Sequence, residues 1–491
     1  MLIAYAQAAP SDRLRIWVGI FDDPNPAPLV LRVDASVYSV VELAALRPIR
    51  DGMTDGSHAP LNHRAVYEIV GLEPGRLRQV TVEAGRQKKT VSVSTMPSDL
   101  PETFDPWFHV LLCSCYSQPQ DASGVLGKTI ERIMTRPNLT LMMGDQIYGD
   151  LPIKEDLPRD TPGVARTLGA KYLRNWLSSA LGTGGLASVL ARAPVMCVAD
   201  DHEYWNNFPF RQAQLPKTWS AGGRDQWEQV ARELYEDYQL AGTAGSAQRL
   251  DIGPLRMMTV DMRTRRDGDL KRLMSDRTAS DLLDWEQSLR KDRAQGVACF
   301  GLLCSGQSLF APSNSAIERS VVDAEMANYE EFDTLIVPMF ERLAEAGIPV
   351  LYITGDVHWG RVAQARYRLS HQNQPVIYEV IASPSSLICT PSDPIKQARA
   401  RFLELGGDPV EWPLHGKPAE VPDKLGKSTR FQLECDLKSG SGYGRQGNQV
   451  AVLSLCKAGG GIDFKVTYYA VSKSDSMMRP HSTPVYSMRN L

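Results

Sequence analysis

The sequence predicts an α/β fold of layered sheets preceded by a smaller all-β unit, and three observations carry that expectation. Apolar runs at 139–143, 194–199 and 350–354 are each followed at once by acidic residues, at Asp145, at Asp200 and Asp201, and at Asp356. Short apolar runs of this kind read as buried strands of an α/β sheet, whose ligand sites lie beyond the carboxyl ends of the strands. Longer stretches with a helical period separate these runs, as crossover helices would. Residues 13–95 instead alternate in the manner of short strands, with Leu14, Ile16, Val18 and Ile20 as the first set.

The β unit comes first. Leu29, Leu31 and Val33, then Tyr67 and Ile69, Val80 and Val82, and Val91 and Val93 continue the alternation between turn residues, which predicts a small antiparallel sandwich over 1–100. The segment Gly71-Leu72-Glu73-Pro74-Gly75, followed by Val80-Thr81-Val82, resembles the late strands of a fibronectin type III or Ig-like domain. Such a module would carry no chemistry of its own. The interval 97–106, rich in Pro, Asp and Glu, reads as the linker to a second domain over 101–491.

That second domain begins with strand 108–113, which delivers Ser114 and Cys115 at its tip, and Asp121 can cap a helix over 122–135. Strand 139–143, a helical region over 163–192, strand 194–199 and a helix over 225–240 follow. Strand 255–260 ends at Asp261 and Arg263; helix 278–289, strand 300–303, helix 329–346 ended by Gly347, and strands 350–354 and 376–381 complete the alternation. Ile395 to Leu405 reads as a short helix, and 450–455 with 464–469 as a hairpin around Gly459-Gly460-Gly461. The opening residues, which end in small side chains, read as a frayed end or a short first strand.

Composition narrows the partners. With 54 basic and 57 acidic residues among 491, the net charge of −3 offers no general field for a polyanion, so nucleic acid is not indicated as a partner and an anionic substrate must be held locally. Eight cysteines, several inside apolar runs (Cys197, Cys299, Cys456), read as reduced core thiols rather than a disulfide framework, which points to a reducing compartment. No run approaches the eighteen apolar residues of a membrane span.

Five strand tips thus present Cys115, Asp145 with Tyr148, Asp201 with His202, Asp261, and Asp356 with His358. One Asp after a strand is ordinary turn chemistry. A crowd of carboxylates at one sheet edge repels itself unless cations neutralise it, and the recurrence therefore points to bound metal. Oxygen ligands suit Ca²⁺, Mg²⁺ or Mn²⁺, whereas thiolate and imidazole suit Fe or Zn²⁺, so a mixed pair of ions is expected, with Asp145 bridging. Two ions roughly 3.5–4 Å apart would bring the pKa of a bound water to about 7 and so supply a hydroxide for in-line attack at phosphorus, with His202 and Arg263 offering positive charge where oxyanions develop.

The set Ser114-Cys115, Gly144-Asp145-x-Ile147-Tyr148, Asp200-Asp201-His202-Glu203 with Asn206-Asn207, Asp261-x-Arg263 and Gly355-Asp356-x-His358 resembles the PhoD-like alkaline phosphatase and phosphodiesterase family of the calcineurin-like metallophosphatases. The resemblance runs from residue 108 to the C-terminus. It implies a four-layer α/β/β/α metallophosphatase sandwich and a binuclear Fe³⁺ and Ca²⁺ centre. By the family's motifs Cys115, Asp145, Tyr148, Asp356 and His358 would surround iron, Asp145 would be shared with calcium, and Asp201 or one of Asn206 and Asn207 would complete the calcium side. Asn206, Asn207 and Arg263 are also the expected contacts to a small phosphate ester. Asp201 stands where most metallophosphatases carry a neutral asparagine. Members are usually exported with a twin-arginine signal, absent from this sequence, so a cytoplasmic location is expected, with a periplasmic or secreted one as the alternative.

Blander readings stand beside these. Cys113 and Cys115 could form a redox pair, though Cys113 reads better as core; Tyr148 could merely cap the sheet edge; Trp205 and Trp359 could wall a pocket or only pack loops. Arg263, Arg265 and Arg266 could be a solvated run. A phosphotriesterase, a phospholipase D-like hydrolase, and a non-catalytic binding protein held together by a cation are the rival functions.

Overall fold

A computed structural model describes residues 1–34, 38–102, 106–152, 157–178, 184–240, 247–310, 325–356, 358–369, 374–386, 419–422, 428–435, 444–446, 448–471 and 480–490. The expected helix from Ile395 to Leu405 lies outside these residues.

The N-terminal strands are β1 (Leu2–Gln7), β2 (Arg13–Ile20), β3 (Leu29–Val33), β4 (Ser39–Pro48), β5 (His63–Val70), β6 (Leu77–Ala84) and β7 (Gln87–Ser94). They form two layers, β1-β2-β5-β4 and β3-β6-β7, around a core of Ala4, Ile16, Val18, Ile69, Val80, Val82 and Val93. The expected break near residue 100 is not a break in the hydrogen-bond ladder. Strand β1 runs parallel to the strand that ends at Val198, with Gln7 opposite Val195 and the Ala8 amide donating to the Val195 carbonyl at 2.9 Å. Through this pairing the N-terminal strands extend the sheet that carries the acidic tips. Alternation identified the strands, but a period of two says nothing about which neighbour an edge will pair with.

That sheet continues through β8 (Phe108–Cys113), β9 (Leu139–Met143) and β10 (Val195–Val198), which are parallel, and its far side is built later in the chain. A second sheet comprises β11 (Gln248–Ile252), β12 (Leu255–Thr259), β13 (Phe300–Cys304), β14 (Val350–Thr354), β15 (Trp359–Tyr367), β16 (Pro375–Ala382), β17 (Ala419–Pro422), β18 (Ser428–Cys435) and β19 (Gly444–Gln446), of which β12, β13, β14 and β16 run parallel. Finally β20 (Gln449–Ala458), β21 (Gly461–Ala470), β22 (His481–Ser482) and β23 (Tyr486–Met488) return to the first sheet, β20 lying antiparallel to β8. The turn from β20 to β21 is the pair Gly459 and Gly460, both at positive φ, the chemistry of a tight hairpin.

The helices are α1 (Val125–Arg132), α2 (Thr161–Trp176), α3 (Leu186–Leu190), α4 (Ala221–Tyr238), α5 (Asp276–Ala294) and α6 (Val337–Glu345). Helices α1 to α4 pack on one face of the first sheet, where Ile130, Leu168, Trp176, Val189 and Leu234 meet Leu111, Met142 and Cys197. Alternate residues of the same strands, Val110, Leu112, Leu141 and Val198, face Met257, Leu302, Leu351 and Val380 of the second sheet. Helices α5 and α6 cover the outer face of that sheet through Leu282, Trp285, Phe340 and Leu343.

Two expected helices are divided. The region 163–192 yields α2 and α3. In 329–346 the α-helix starts only at Val337, after a wider π turn over Phe332–Ile336, because Pro338 has no amide hydrogen to give to the preceding turn. The N-cap position of α1 is Gly124, and Asp121 serves the helix from just before it, accepting from the Val125 amide at 2.6 Å; Ser220 and Ser275 cap α4 and α5. No helix among the described residues is long and apolar enough to cross a membrane.

Candidate metal centre

The parallel strands β8, β9, β10 and β14 release their chains at one edge, and small residues let the tips meet. A Cβ on Gly144, which sits at φ +85°, would lie 2.5 Å from Cβ of Asp200. One on Gly355 would lie 2.4 Å from the Met143 carbonyl and 2.5 Å from Cβ of Ser114. Glycine is therefore required where the runs of β9 and β14 stop.

Immediately beyond, Cys115, Asp145, Asn207, Asp356 and His358 all take positive φ, between +52° and +61°. Non-glycine residues rarely adopt this conformation, and its concentration at one place marks a constrained functional site. Ligand oxygens of Asp145, Asp200, Asp201 and Asp356 lie within 4.8 Å of one another, and a second such group comprises Asp145, Asp201 and His202. Asp145 is central. Its Oδ1 accepts from the His202 amide at 3.2 Å; its Oδ2 faces Cys115 Sγ at 3.5 Å and the Tyr148 hydroxyl at 3.4 Å. Burial pushes the Asp145 carboxyl well above the usual carboxylate range, and Cys115, Asp201, Asp200 and Glu203 push the same way. Anionic oxygens held this close, buried and mutually repelling, fit a bound cation.

The flanking groups are arranged around this core. Burial pushes the Cys115 thiol up to about 12 and the Tyr148 phenol well above its usual value. Ser383 donates to Cys115 Sγ at 3.1 Å from the loop after β16. His202 packs against Tyr148 with ring centroids 4.3 Å apart and the rings tilted by 45°, and its Nδ1 meets Asp150 Oδ1 at 2.8 Å. Burial works to lower the His202 pKa, but the Asp150 and Asp201 carboxylates prevail and raise it to about 9. His358 is pushed down to about 4 by burial and by the neighbouring His202, which keeps it neutral near pH 7.

A family model described as PhoD-like phosphatase matches residues 108–402, more than half of the chain. The chain belongs to the PhoD-like phosphatase family. Among solved structures it is similar to one described as "Structure of PhoD", with 14% identity and a TM-score of 0.58 over 99% of this chain and 90% of that chain, a likeness of fold. A β-glucuronidase of Lactobacillus rhamnosus (8% identity, TM-score 0.18, 69% of this chain and 58% of that chain) and an amylomaltase from Corynebacterium glutamicum (13%, 0.15, 73% and 48%) are too distant in shape to bear on the argument. No curated protein matches the sequence.

In this PhoD-like chain the tips read from the sequence thus converge: Asp145, Asp201, His202 and Asp356 share the clusters, while Cys115 and Tyr148 touch Asp145 directly, and His358 feels the charges of His202 and Asp201. Asn207 joins through its backbone, donating to Asp201 Oδ2, and the Asn206 amide donates to Asp150 Oδ2 at 3.1 Å. Arg263 is 1% exposed; its Nη2 meets Asp201 Oδ2 at 3.1 Å and its Nε lies 3.7 Å from Asp200 Oδ1. Asp261 holds that arginine's loop, accepting from the amides of Arg263 and Thr264 at 3.0 and 2.8 Å. Cys113 and Cys115 are free thiols, and Trp205 packs against Phe208 and Trp227 in the helical core.

Sequence reasoning assigned no role to Asp150, Glu203, Gln239 or Ser383. Glu203 is the most heavily used of these. Its carboxylate accepts from the amides of Asp145 (2.9 Å), Gln146 (2.7 Å) and Asp200 (2.9 Å) and from Gln239 Nε2 (3.2 Å). Its place directly after Asp201 and His202 was the available signal.

Proposed function

We propose that this chain is a metal-dependent phosphoesterase acting on small phosphate monoesters or diesters, with its acidic strand tips as the catalytic centre. The observation that carries the reading is the group of buried Asp145, Asp200 and Asp201 with half-buried Asp356, whose oxygens lie within 4.8 Å of one another at the edge of a phosphatase-family sheet. Asp145, Asp201 and Asp356 would hold the cations, with Cys115 and Tyr148 on the Oδ2 side of Asp145 and His358 as a neutral imidazole donor. The sulfur and phenol on that side favour Fe³⁺ and the carboxylates favour Ca²⁺, with Mn²⁺, Zn²⁺ and Mg²⁺ as alternatives. Bound there, the ions supply Lewis acidity and lower the pKa of water.

The chain's own groups do the rest. His202, its Nδ1 fixed by Asp150 and its charge favoured by that carboxylate, is placed to meet a phosphoryl oxygen or to deliver a proton to the leaving group. Arg263 keeps Asp201 in place and adds positive charge there, and Asn206 and Asn207, on the loop whose amides reach Asp150 and Asp201, would contact the ester. Helices outside two facing sheets support the four-layer α/β/β/α reading, and the strand order β1-β2-β5-β4 against β3-β6-β7 supports an Ig-like reading of the N-terminal strands.

The test is hydrolysis of chromogenic phosphate mono-, di- and triesters by protein reconstituted separately with each cation. Turnover of monoesters or diesters that a chelator abolishes is expected. Turnover confined to triesters, or none with any ion, defeats the proposal.

A further inference from the structure

We infer that the N-terminal strands are a positioning element of the acidic centre, acting through the last turn of α4 and the pair Gln239 and Glu203. This rests on the tips being the hydrolytic site.

A helix leaves its last carbonyls without partners. In α4 three successive ones are taken by side chains of β1 and β2. Trp17 Nε1 donates to the Asp237 carbonyl at 2.9 Å, the Tyr5 hydroxyl to Tyr238 at 2.6 Å, and Gln7 Nε2 to Gln239 at 3.3 Å. The Asp237 side chain, fully buried, accepts from Arg47 Nη2 at 2.6 Å, from the Arg50 amide and Nε at 3.0 Å, and from Arg64 Nε at 3.3 Å, all from β4, β5 or the loop between them. Arginines at a helix C-terminus also oppose its partial negative charge. The end of α4 is thus fixed to the N-terminal strands by six residues.

The other side of the same turn faces the site. Gln239 Nε2 donates to Glu203 Oε1, and the Tyr235 hydroxyl accepts from the Ala199 amide at 3.1 Å, just before Asp200. Glu203 in turn holds the amides of Asp145, Gln146 and Asp200. Asp145 sits at φ +57°, a conformation that an L side chain keeps only where its surroundings impose it. Glu203 supplies that restraint, Gln239 orients Glu203, and β1 and β2 fix Gln239. Outer partners of metal ligands commonly change affinity or activity by about 10–100-fold when lost.

The experiment uses the full chain with Gln239→Met, which keeps length but loses the amide, and Trp17→Phe, which keeps a ring but loses the donor to Asp237. Amide hydrogen exchange over 144–147 is compared with that over β20 and β21, alongside Mn²⁺ affinity and ester turnover. Both variants are expected to exchange faster over 144–147 and to bind Mn²⁺ about 10-fold more weakly, with β20 and β21 unchanged. Exchange over 144–147 and Mn²⁺ affinity within about twofold of the parent in both variants, whatever the melting temperature does, overturns the inference. A change in Gln239→Met alone overturns the part given to the strands, and if that variant does not fold, Trp17→Phe decides. Should the parent hydrolyse no ester, the phosphoesterase reading falls while exchange and Mn²⁺ binding still judge the positioning.

Discussion

Asp145→Asn is expected to stabilise the cation-stripped protein while abolishing its function. Asp145 and Asp201 bring carboxylate oxygens within 4.8 Å of each other. At an effective dielectric constant of about 20 a like-charge pair at that separation costs about 3 kcal/mol. Arg263, 3.1 Å from Asp201, offsets part of this, so about 1–3 kcal/mol should be regained when Asp145 loses its charge. The sign follows from linkage: the folded-state pKa of Asp145 is raised, so the stripped parent loses stability as pH rises above the ordinary carboxylate value near 4. The penalty grows with pH until the folded-state pKa is passed, and asparagine removes it. For the parent a cation at about 100 times its Kd restores about 2.7 kcal/mol. Thermal unfolding at pH 8 of parent and variant, each with chelator and then with excess Ca²⁺ or Mn²⁺, reads both effects. A chain of this length unfolding as one unit moves by about 1 °C per kcal/mol. The stripped variant should melt up to a few degrees above the stripped parent, show no cation-dependent rise and hydrolyse nothing. If it melts lower, or still gains stability from the cation, the tips are not a charge cluster built for metal.

Three further outcomes are expected. Asp150→Asn removes the largest influence raising the His202 pKa, so if His202 donates a proton the alkaline limb of kcat should move to lower pH by about one unit or more, and an unmoved limb excludes that role. Asp237→Asn leaves Arg64, 3% exposed, without its carboxylate and should cost about 3–5 kcal/mol in urea unfolding followed by tryptophan fluorescence; less than about 1 kcal/mol would mean that the arginines find other partners. With Fe³⁺ bound, the concentrated protein should be coloured by phenolate charge transfer and Tyr148→Phe should bleach it, whereas a colourless, iron-loaded and active parent excludes that contact.

Much of the centre was legible because its signal is local. Four of the five tips are apolar runs that halt at a small residue and pass to Asp, Cys or His, and backbone turn chemistry forces those residues to be adjacent in sequence. The groups that restrain the tips are only partly signalled. Glu203 has one local partner, the Asp200 amide three positions back, but it also reaches amides 57 and 58 positions away, and Gln239 reaches Glu203 across 36, so these longer contacts follow from the packing of the fold and from no local pattern. Helix 329–346 was misjudged for the opposite reason: its apolar period is genuine, but Pro338 sets where the α-helical hydrogen bonds begin.

The N-terminal strands show the same division on a larger scale. Their alternation is plain in the sequence, and so is the two-faced core it produces around Ile16, Val80 and Val82. What alternation leaves open is the partner of the first strand, and here that partner is β10, the strand whose end carries Asp200 and Asp201. Strands continuous with the sheet that carries the acidic tips are brought to the end of α4. Tyr5, Gln7 and Trp17 are therefore aligned with its last carbonyls by the same pairing that joins β1 to β10. Sheet continuity is thus the physical reason that residues near the start of the chain can govern the geometry of carboxylates some 140 to 200 positions later.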